Sequence, residues 1–381
     1  MLLAQTHMNA RTTANAPDLQ NVRNVQPRPA LGIAAGAWYL PPEKRHVDDW
    51  AAAVPPRLAG LLPSMKTNGL AHYHIAPKMS VEQLCSAAVA RLLDATGRNP
   101  RDIDRVIFCH TNTTSVMAPP ASIPAALIKR HGLSRAIGYS VAQQNCASIV
   151  CALRLLRTLM WRHSELREVL IVSADKVFGE ASRNVSNYAI QSDGAMALWI
   201  SRDAPRNRIG HIAYNIDGRY YRGSAKGPQL TQRYGLNYAF AAHHVISEVM
   251  RTSGWSAAQV DAVLPMNANL TAFTRVIELL GMPAHKLHAA NIGRTGHLFC
   301  CDPFINFLDR FSDPAAVDSG NAILFASASS GVFSAVGVSD AWTGAGAPPA
   351  RAARPESSAG SVRSTHTAAA PPDTVPAVAL A

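Results

Sequence analysis

The sequence contains no uncharged apolar run of about eighteen residues, the minimum for a transmembrane helix, so no membrane span is expected. Its start, MLLAQTHMNARTTANAPDLQ, has no basic segment leading into a long apolar stretch. No secretory leader is read there, and a cytoplasmic protein is the expectation. None of the six cysteines (Cys85, Cys109, Cys146, Cys151, Cys300, Cys301) stands in a CxxC pair, and they are too sparse for a disulfide framework. Free thiols follow. No P-loop is present and no GxGxxG follows a strand, which removes support for nucleotide binding. His110 beside Cys109 has no second cluster to complete a metal site, so no metal is expected. Basic and aromatic residues are not interleaved as in a nucleic-acid module.

The 381 residues are 48% hydrophobic and 16% charged, enough for one large or two fused domains with a substantial core. The net charge is +11, of which the two ends supply only +3. The remaining basic surface suits nucleic acid, the phosphates of coenzyme A or an acidic carrier protein. Residues 1–28 are polar, and residues 344–381 are rich in Ala, Pro and Ser; both tails are expected to be disordered. Between them, apolar runs at Val106–Cys109, Val169–Ala174, Ala195–Ile200, Ala262–Leu264 and Ala322–Ala326 alternate with amphipathic stretches, which predicts an α/β fold. Ser80 with Gln83, and Ser256 with Gln259, have the spacing of a capping box and predict two helix starts. The first opens a helix with Leu84, Ala88 and Leu92 on one face.

A weak internal repeat relates the middle of the chain to its C-terminal half. Gly97 precedes Asp104 by seven positions, and Gly254 precedes Asp261 by the same seven; each pair leads into an apolar strand. Each copy continues through a polar turn (Asn112-Thr113-Thr114; Asn267-Ala268-Asn269), a helix ending at Gly132 or Gly281, and a short strand. Cys146 lies fourteen residues past Gly132 and His297 sixteen past Gly281. The matching strands VLIVSAD and AILFASA close the copies. Two halves, 29–205 and 206–343, packed about a pseudo-twofold axis would bring the Cys146 and His297 turns to a shared face.

Cys146, in SVAQQNCASIVCALRLL, sits where a strand gives way to a helix, and the free N–H groups and dipole there favour a thiolate. Taken alone it fits a buried apolar filler equally well, the reading given to Cys85, Cys109 and Cys151. His297, in NIGRTGHLFCCDPFINFLDR, has Asp302 five residues on; a base and an orienting carboxylate are what thiol acylation needs. The alternatives are a satisfied core histidine and an aspartate that caps a helix beginning at Pro303. Ser330 and Gly331, in SASSGVFSAVG, can bring N–H groups to a ligand and join the Cys146 amide in an oxyanion hole. Vicinal Cys300 and Cys301, beside Phe299 and Phe304, read as packing residues. His243 and His244 lie in a helical stretch and read as surface or packing residues.

The cysteine turn, the duplicated halves and the last strand together resemble the thiolase superfamily, specifically the β-ketoacyl-acyl-carrier-protein synthase III family, over roughly residues 30–340. LGIAAGAWYLPP is similar to its first strand and loop, SVAQQNCASIVCAL to its nucleophile motif, LPMNANLTAF to its histidine motif and AILFASASSGVFSAVGV to its last hairpin. The resemblance implies a thiolase fold, two halves forming a five-layered α-β-α-β-α sandwich, and a homodimer. It implies a coenzyme A or phosphopantetheine thioester as substrate and no bound cofactor. Condensing members carry a histidine where this chain has Met266 and an asparagine where it has His297. A methionine cannot donate the hydrogen bond that stabilises an enolate. GHxxxxDPFIN instead resembles a branch of acyltransferases from secondary metabolism that use a Cys-His-Asp set. Cys146, His297 and Asp302 are then the catalytic residues. Met266, Met117, Phe178 and partner residues around Pro119 and Pro120 line the substrate tunnel, while Asn267 and Asn269 contact the pantetheine arm or serve as turn residues. Acyl-CoA or acyl carrier protein is the expected donor, and a small molecule or carrier-bound intermediate the acceptor. A decarboxylating condensing enzyme and the non-catalytic subunit of a heterodimer are the other readings.

Overall fold

The computed structural model describes residues 29–340, apart from 118, 119, 203, 205 and 312–319, together with Val378–Ala379. Expectations for the two tails and for Pro119 otherwise lie outside the described residues. Val378–Ala379 is an exception within the C-terminal tail expected to be disordered: it forms a two-residue strand against Ala35 and Gly36.

The first half supplies strands β1 (Leu31–Tyr39), β2 (Arg105–Cys109), β3 (Ile137–Val141), β4 (Glu168–Asp175) and β5 (Gly194–Arg202). The second supplies β6 (Arg208–Ile216), β7 (Val260–Leu264), β8 (Asn321–Ala328) and β9 (Val332–Ser339). Their spatial order is β7-β8-β9-β6-β1-β5-β4-β2-β3. Read outward from the β6–β1 junction, the two sides repeat each other. β1 meets β5 and β5 meets β4 antiparallel, then β2 and β3 follow in parallel. β6 meets β9 and β9 meets β8 antiparallel, then β7 follows in parallel. The apolar runs predicted as strands all lie within these elements. The short strand expected after Gly281 is reduced to one parallel bridge, Val263 to Leu287.

Besides shorter helices at Val47–Ala53, Pro56–Ala59, Leu62–Thr67 and Ala290–Arg294, the helices are α1 (Val81–Thr96), α2 (Ile123–His131), α3 (Ser148–Arg162), α4 (Pro228–Ser253), α5 (Leu270–Leu279) and α6 (Asp302–Phe311). α1 starts as predicted: Gln83 N–H donates to Ser80 Oγ at 3.1 Å and Ser80 N–H to Gln83 Oε1 at 2.8 Å. Gly97, in the left-handed region, ends it. Ser256 and Gln259 make a similar bond (2.9 Å), but no helix follows. β7 begins at Val260, so the chain has room for a single turn.

Strand alternation sorts the core into layers. Ile107 and Cys109 of β2, with Leu324 and Ala326 of β8, pack on Ile149 and Leu153 of α3 and Phe304 and Leu308 of α6. Val106 and Phe108 point the other way, onto Leu84, Ala88 and Leu92 of α1 and Leu127 of α2. Ile323 and Phe325 do the same toward Val245 and Val249 of α4 and Phe273 of α5. The result is a five-layered sandwich with α3 and α6 in the middle layer.

Candidate active site

The loop joining β3 to α3 carries Cys146 in a turn of 3-10 helix, Asn145–Ala147, immediately before α3. Gln143 and Asn145 take φ of 68° and 49°, a costly conformation for residues with a Cβ, and together they bend the chain so that Cys146 meets the cavity. Side chains hold the bend. Asn145 Nδ2 donates to Ser330 Oγ (2.8 Å), Tyr214 O–H to Gln144 Oε1 (2.7 Å), and Ser148 Oγ to Asn145 O (2.7 Å).

His297 arrives from the second half, 151 positions along the chain, with Nε2 3.7 Å from Cys146 Sγ. Gly296 precedes it at φ +71°, where a Cβ would come within 2.8 Å of Ile190 O and Ser192 Oγ. Only glycine fits this approach. The His297 backbone is fixed by its N–H to Ile190 O (2.8 Å) and by Ser192 N–H to its carbonyl (2.9 Å). Its Nδ1 lies 2.5 Å from Asp302 Oδ2. That carboxylate, at the start of α6, also accepts Asn267 N–H (2.7 Å) and Leu298 N–H (2.6 Å). Phe299, held at φ 58°, sets its ring 5.3 Å from the imidazole.

Charge follows from this burial. Burial pushes the Cys146 thiol upward, against the helix-start expectation, and the hydrogen bond to His297 only partly offsets it. Burial alone disfavours the His297 imidazolium, but the Asp302 carboxylate and the Cys146 sulfur outweigh it and hold the ring well above its usual pKa. The resting pair is therefore a thiol beside a ring that readily holds a proton.

The pair opens into a cavity of about 1010 Å³ whose lining includes Met266, Asn269, Phe178 and Ser330. Two of the expected substrate residues fall elsewhere. Asn267 is fully buried beneath the site, its amide donating to Gly296 O (3.0 Å) and Thr295 Oγ1 (3.2 Å) and its carbonyl accepting from Asn306 Nδ2 (3.0 Å). Its side chain supports the His297 turn and does not face ligand. Met117 packs on the outer core of the first half, away from the lining. Asn269 caps α5, accepting Ala272 N–H at 3.2 Å, and lines the cavity as well. Gly331 cannot serve in the oxyanion hole as expected: its N–H closes a turn onto Ala328 O (3.0 Å), and at φ +89° a Cβ would lie 2.2 Å from Asp217 O. Ser330, one residue earlier, faces the cavity.

Sequence reasoning missed Thr111, whose hydroxyl lies 3.9 Å from Cys146 Sγ. It also missed Asp175, which accepts Thr111 N–H (2.9 Å), Asn112 N–H (2.8 Å) and Ser115 Oγ–H (2.8 Å) and so pins that loop. A polar turn directly after β2 was the available signal. Cys300 lies 3.0 Å from Ser173 Oγ, and Cys301 donates to Ser173 O (3.6 Å); both are buried.

The family model for 3-oxoacyl-[acyl-carrier-protein] synthase III, C terminal, matches residues 250–339. β-Ketoacyl-[acyl-carrier-protein] synthase III 2 of Deinococcus radiodurans is 25% identical over 298 residues, covering 71% of this chain and 82% of that protein. The solved acyltransferase ChlB3 superposes with a TM-score of 0.68 at 16% identity, over 82% of this chain and 98% of its own. The priming β-ketosynthase of the R1128 polyketide pathway gives 0.66 at 20% identity, over 84% and 98%. The duplicated five-layered fold and the sequence matches agree: the chain is similar, in its C-terminal part by family model and over most of its length by fold, to the β-ketoacyl-acyl-carrier-protein synthase III proteins.

Proposed function

We propose that the protein is an acyltransferase that takes an acyl group from a coenzyme A or carrier-protein thioester onto Cys146 and passes it to an oxygen, nitrogen or sulfur acceptor. The observation that carries this reading is His297 Nε2 at 3.7 Å from Cys146 Sγ, with Nδ1 held by Asp302. Neutral His297 takes the thiol proton as sulfur attacks the thioester carbonyl. The amides of Cys146 and Ser330 face the oxyanion, and collapse expels the donor thiol with the proton from His297. In the second half-step His297 deprotonates the acceptor, which attacks the acyl-cysteine, and Cys146 leaves as the thiol. Met266, whose thioether accepts Ser327 N–H at 3.4 Å, offers an enolate no donor.

The relatives' name favours a second reading, decarboxylative condensation. Intact-mass measurement after incubation with acyl-CoA and acyl-carrier-protein donors tests the first step: an acyl adduct on the wild type, absent in Cys146→Ala, is expected. Labelled malonyl thioester separates the two readings, since release of labelled carbon dioxide with a new carbon–carbon bond would replace transfer by condensation.

A further inference from the structure

The wall of the cavity formed by α4 and the end of β8 carries hydroxyls that the two half-steps leave unused. Along β8, Ile323 and Phe325 point toward α4, and Ser327 continues that row with a hydroxyl where an apolar side chain would extend the core. Tyr238 of α4 meets it: the two hydroxyl oxygens are 3.0 Å apart, both residues are buried, and both line the cavity that holds Cys146. The Tyr238 ring already packs edge-on against Phe273, Phe325 and Phe333, contacts that a phenylalanine would keep. Core packing thus requires neither hydroxyl. Tyr234, next along the wall, donates its proton to Ala328 O at 3.0 Å. The Tyr238–Ser327 bond uses one of the pair's two protons and runs in either sense, so the pair can donate to or accept from a ligand oxygen.

The rest of the lining narrows the ligand. Lys176 and Arg222 are its only charged lysine, arginine or acidic side chains among the described residues. The Lys176 ammonium donates to Met79 O at 2.7 Å, and the Arg222 guanidinium lies over the Tyr221 ring. With no carboxylate to match it, an ammonium ligand would enter without a counter-charge. Asn112, Asn184, Ser186 and Gln191 add neutral donors and acceptors to the lining.

We infer that Tyr238 and Ser327 bind one hydroxyl of a polyhydroxylated acceptor that carries no ammonium group, while another of its hydroxyls attacks the acyl group on Cys146. The inference rests on the transferase reading and assigns its acceptor class. Wild-type enzyme is loaded from a panel of acyl-CoA donors, and discharge of the adduct is followed with methyl glucoside, glycerol, 1,3-propanediol, 1-propanol and 1,3-diaminopropane. Discharge to a polyol is expected, with a KM for that polyol about five- to tenfold higher in Tyr238→Phe and in Ser327→Ala, a kcat changed less, and recovery in Ser327→Thr. The KM for 1-propanol should not move with it. Ser327→Ala stands by itself should Tyr238→Phe fold poorly. Absence of an adduct on the wild type overturns the transferase reading and this one with it. An adduct that discharges to the diamine and to no polyol, or to polyols with the same KM in every variant, overturns only the hydroxyl pair.

Discussion

Both halves solve one backbone problem, and they solve it from different places. After the parallel strand β2 or β7 the chain turns, leaving N–H groups buried and in need of acceptors. In the first half Asp175, at the end of β4, accepts from Thr111 and Asn112. In the second half the matching strand end is Ala328, whose side chain has no acceptor, and Asp302 of α6 accepts from Asn267 instead. Asp302 also holds His297. A turn support has thus been joined to the proposed catalytic residues in one half and kept apart from them in the other. The thiol stands on the half with the independent support and the proposed base, His297, on the half where support and orientation are one carboxylate.

The sharpest break in this division is removal of the thiol: Cys146→Ala should lose acyl labelling altogether while its melting temperature stays near wild type, since the side chain is small. His297→Ala should slow transfer by about 10²–10⁴-fold, measured as adduct formation and discharge in single turnovers. In the wild type, loading should quicken as pH rises. The reactive pair has one proton fewer than the resting thiol and imidazolium, and the raised pKa of His297 places that loss above the usual histidine range. A loading rate flat from acid to alkaline pH would count against His297 as the base.

The two carboxylates separate next. Asp302→Asn should lower transfer by about a hundredfold and also destabilise by about 1–3 kcal/mol, because an amide oxygen cannot replace both carboxylate oxygens in accepting from Asn267, Leu298 and His297. Asp175→Asn should carry a similar stability cost with a much smaller effect on transfer. Equal loss of activity in both variants would erase the distinction between the halves.

The remaining effect is a pH dependence of stability, with no change in activity implied. Burial pushes the Asp175 carboxyl from 3.8 up to about 7, against the opposing hydrogen bonds from Asn112, Ser115 and Thr111. Between those values the folded protein keeps a proton that the unfolded chain has released, so this group makes stability fall as pH rises through that window. Denaturant midpoints measured across it should decline in the wild type and flatten in Asp175→Asn.

Much of this architecture was legible in the chain. The apolar runs became strands, Ser80 and Gln83 formed their capping box, and Gly97, Gly132 and Gly254 took left-handed conformations at helix ends. The paired spacing of Gly97–Asp104 and Gly254–Asp261 anticipated strands that now hold equivalent places in the sheet order. Ser256 with Gln259 misled because a capping box specifies a first turn but not the room for a second. Asn267 and Gly331 misled for other reasons: the Asn267 side chain points to partners 28–39 residues along the chain, and the Gly331 N–H is used by a tight turn onto Ala328 O that the Ser/Gly motif does not reveal.

By itself the sequence determined what nearest neighbours and periodic burial dictate, namely the alternation of strands and helices, the duplicated order and a cysteine at a helix start. Tertiary structure alone decided the chemistry of that cysteine. Burial raised its thiol where a solvated helix start would have lowered it, and packing the halves brought His297 to its sulfur. The same packing set Tyr238 against Ser327. Desolvation and hydrogen bonds between distant segments exist only once the layers have closed, and no local pattern encodes them.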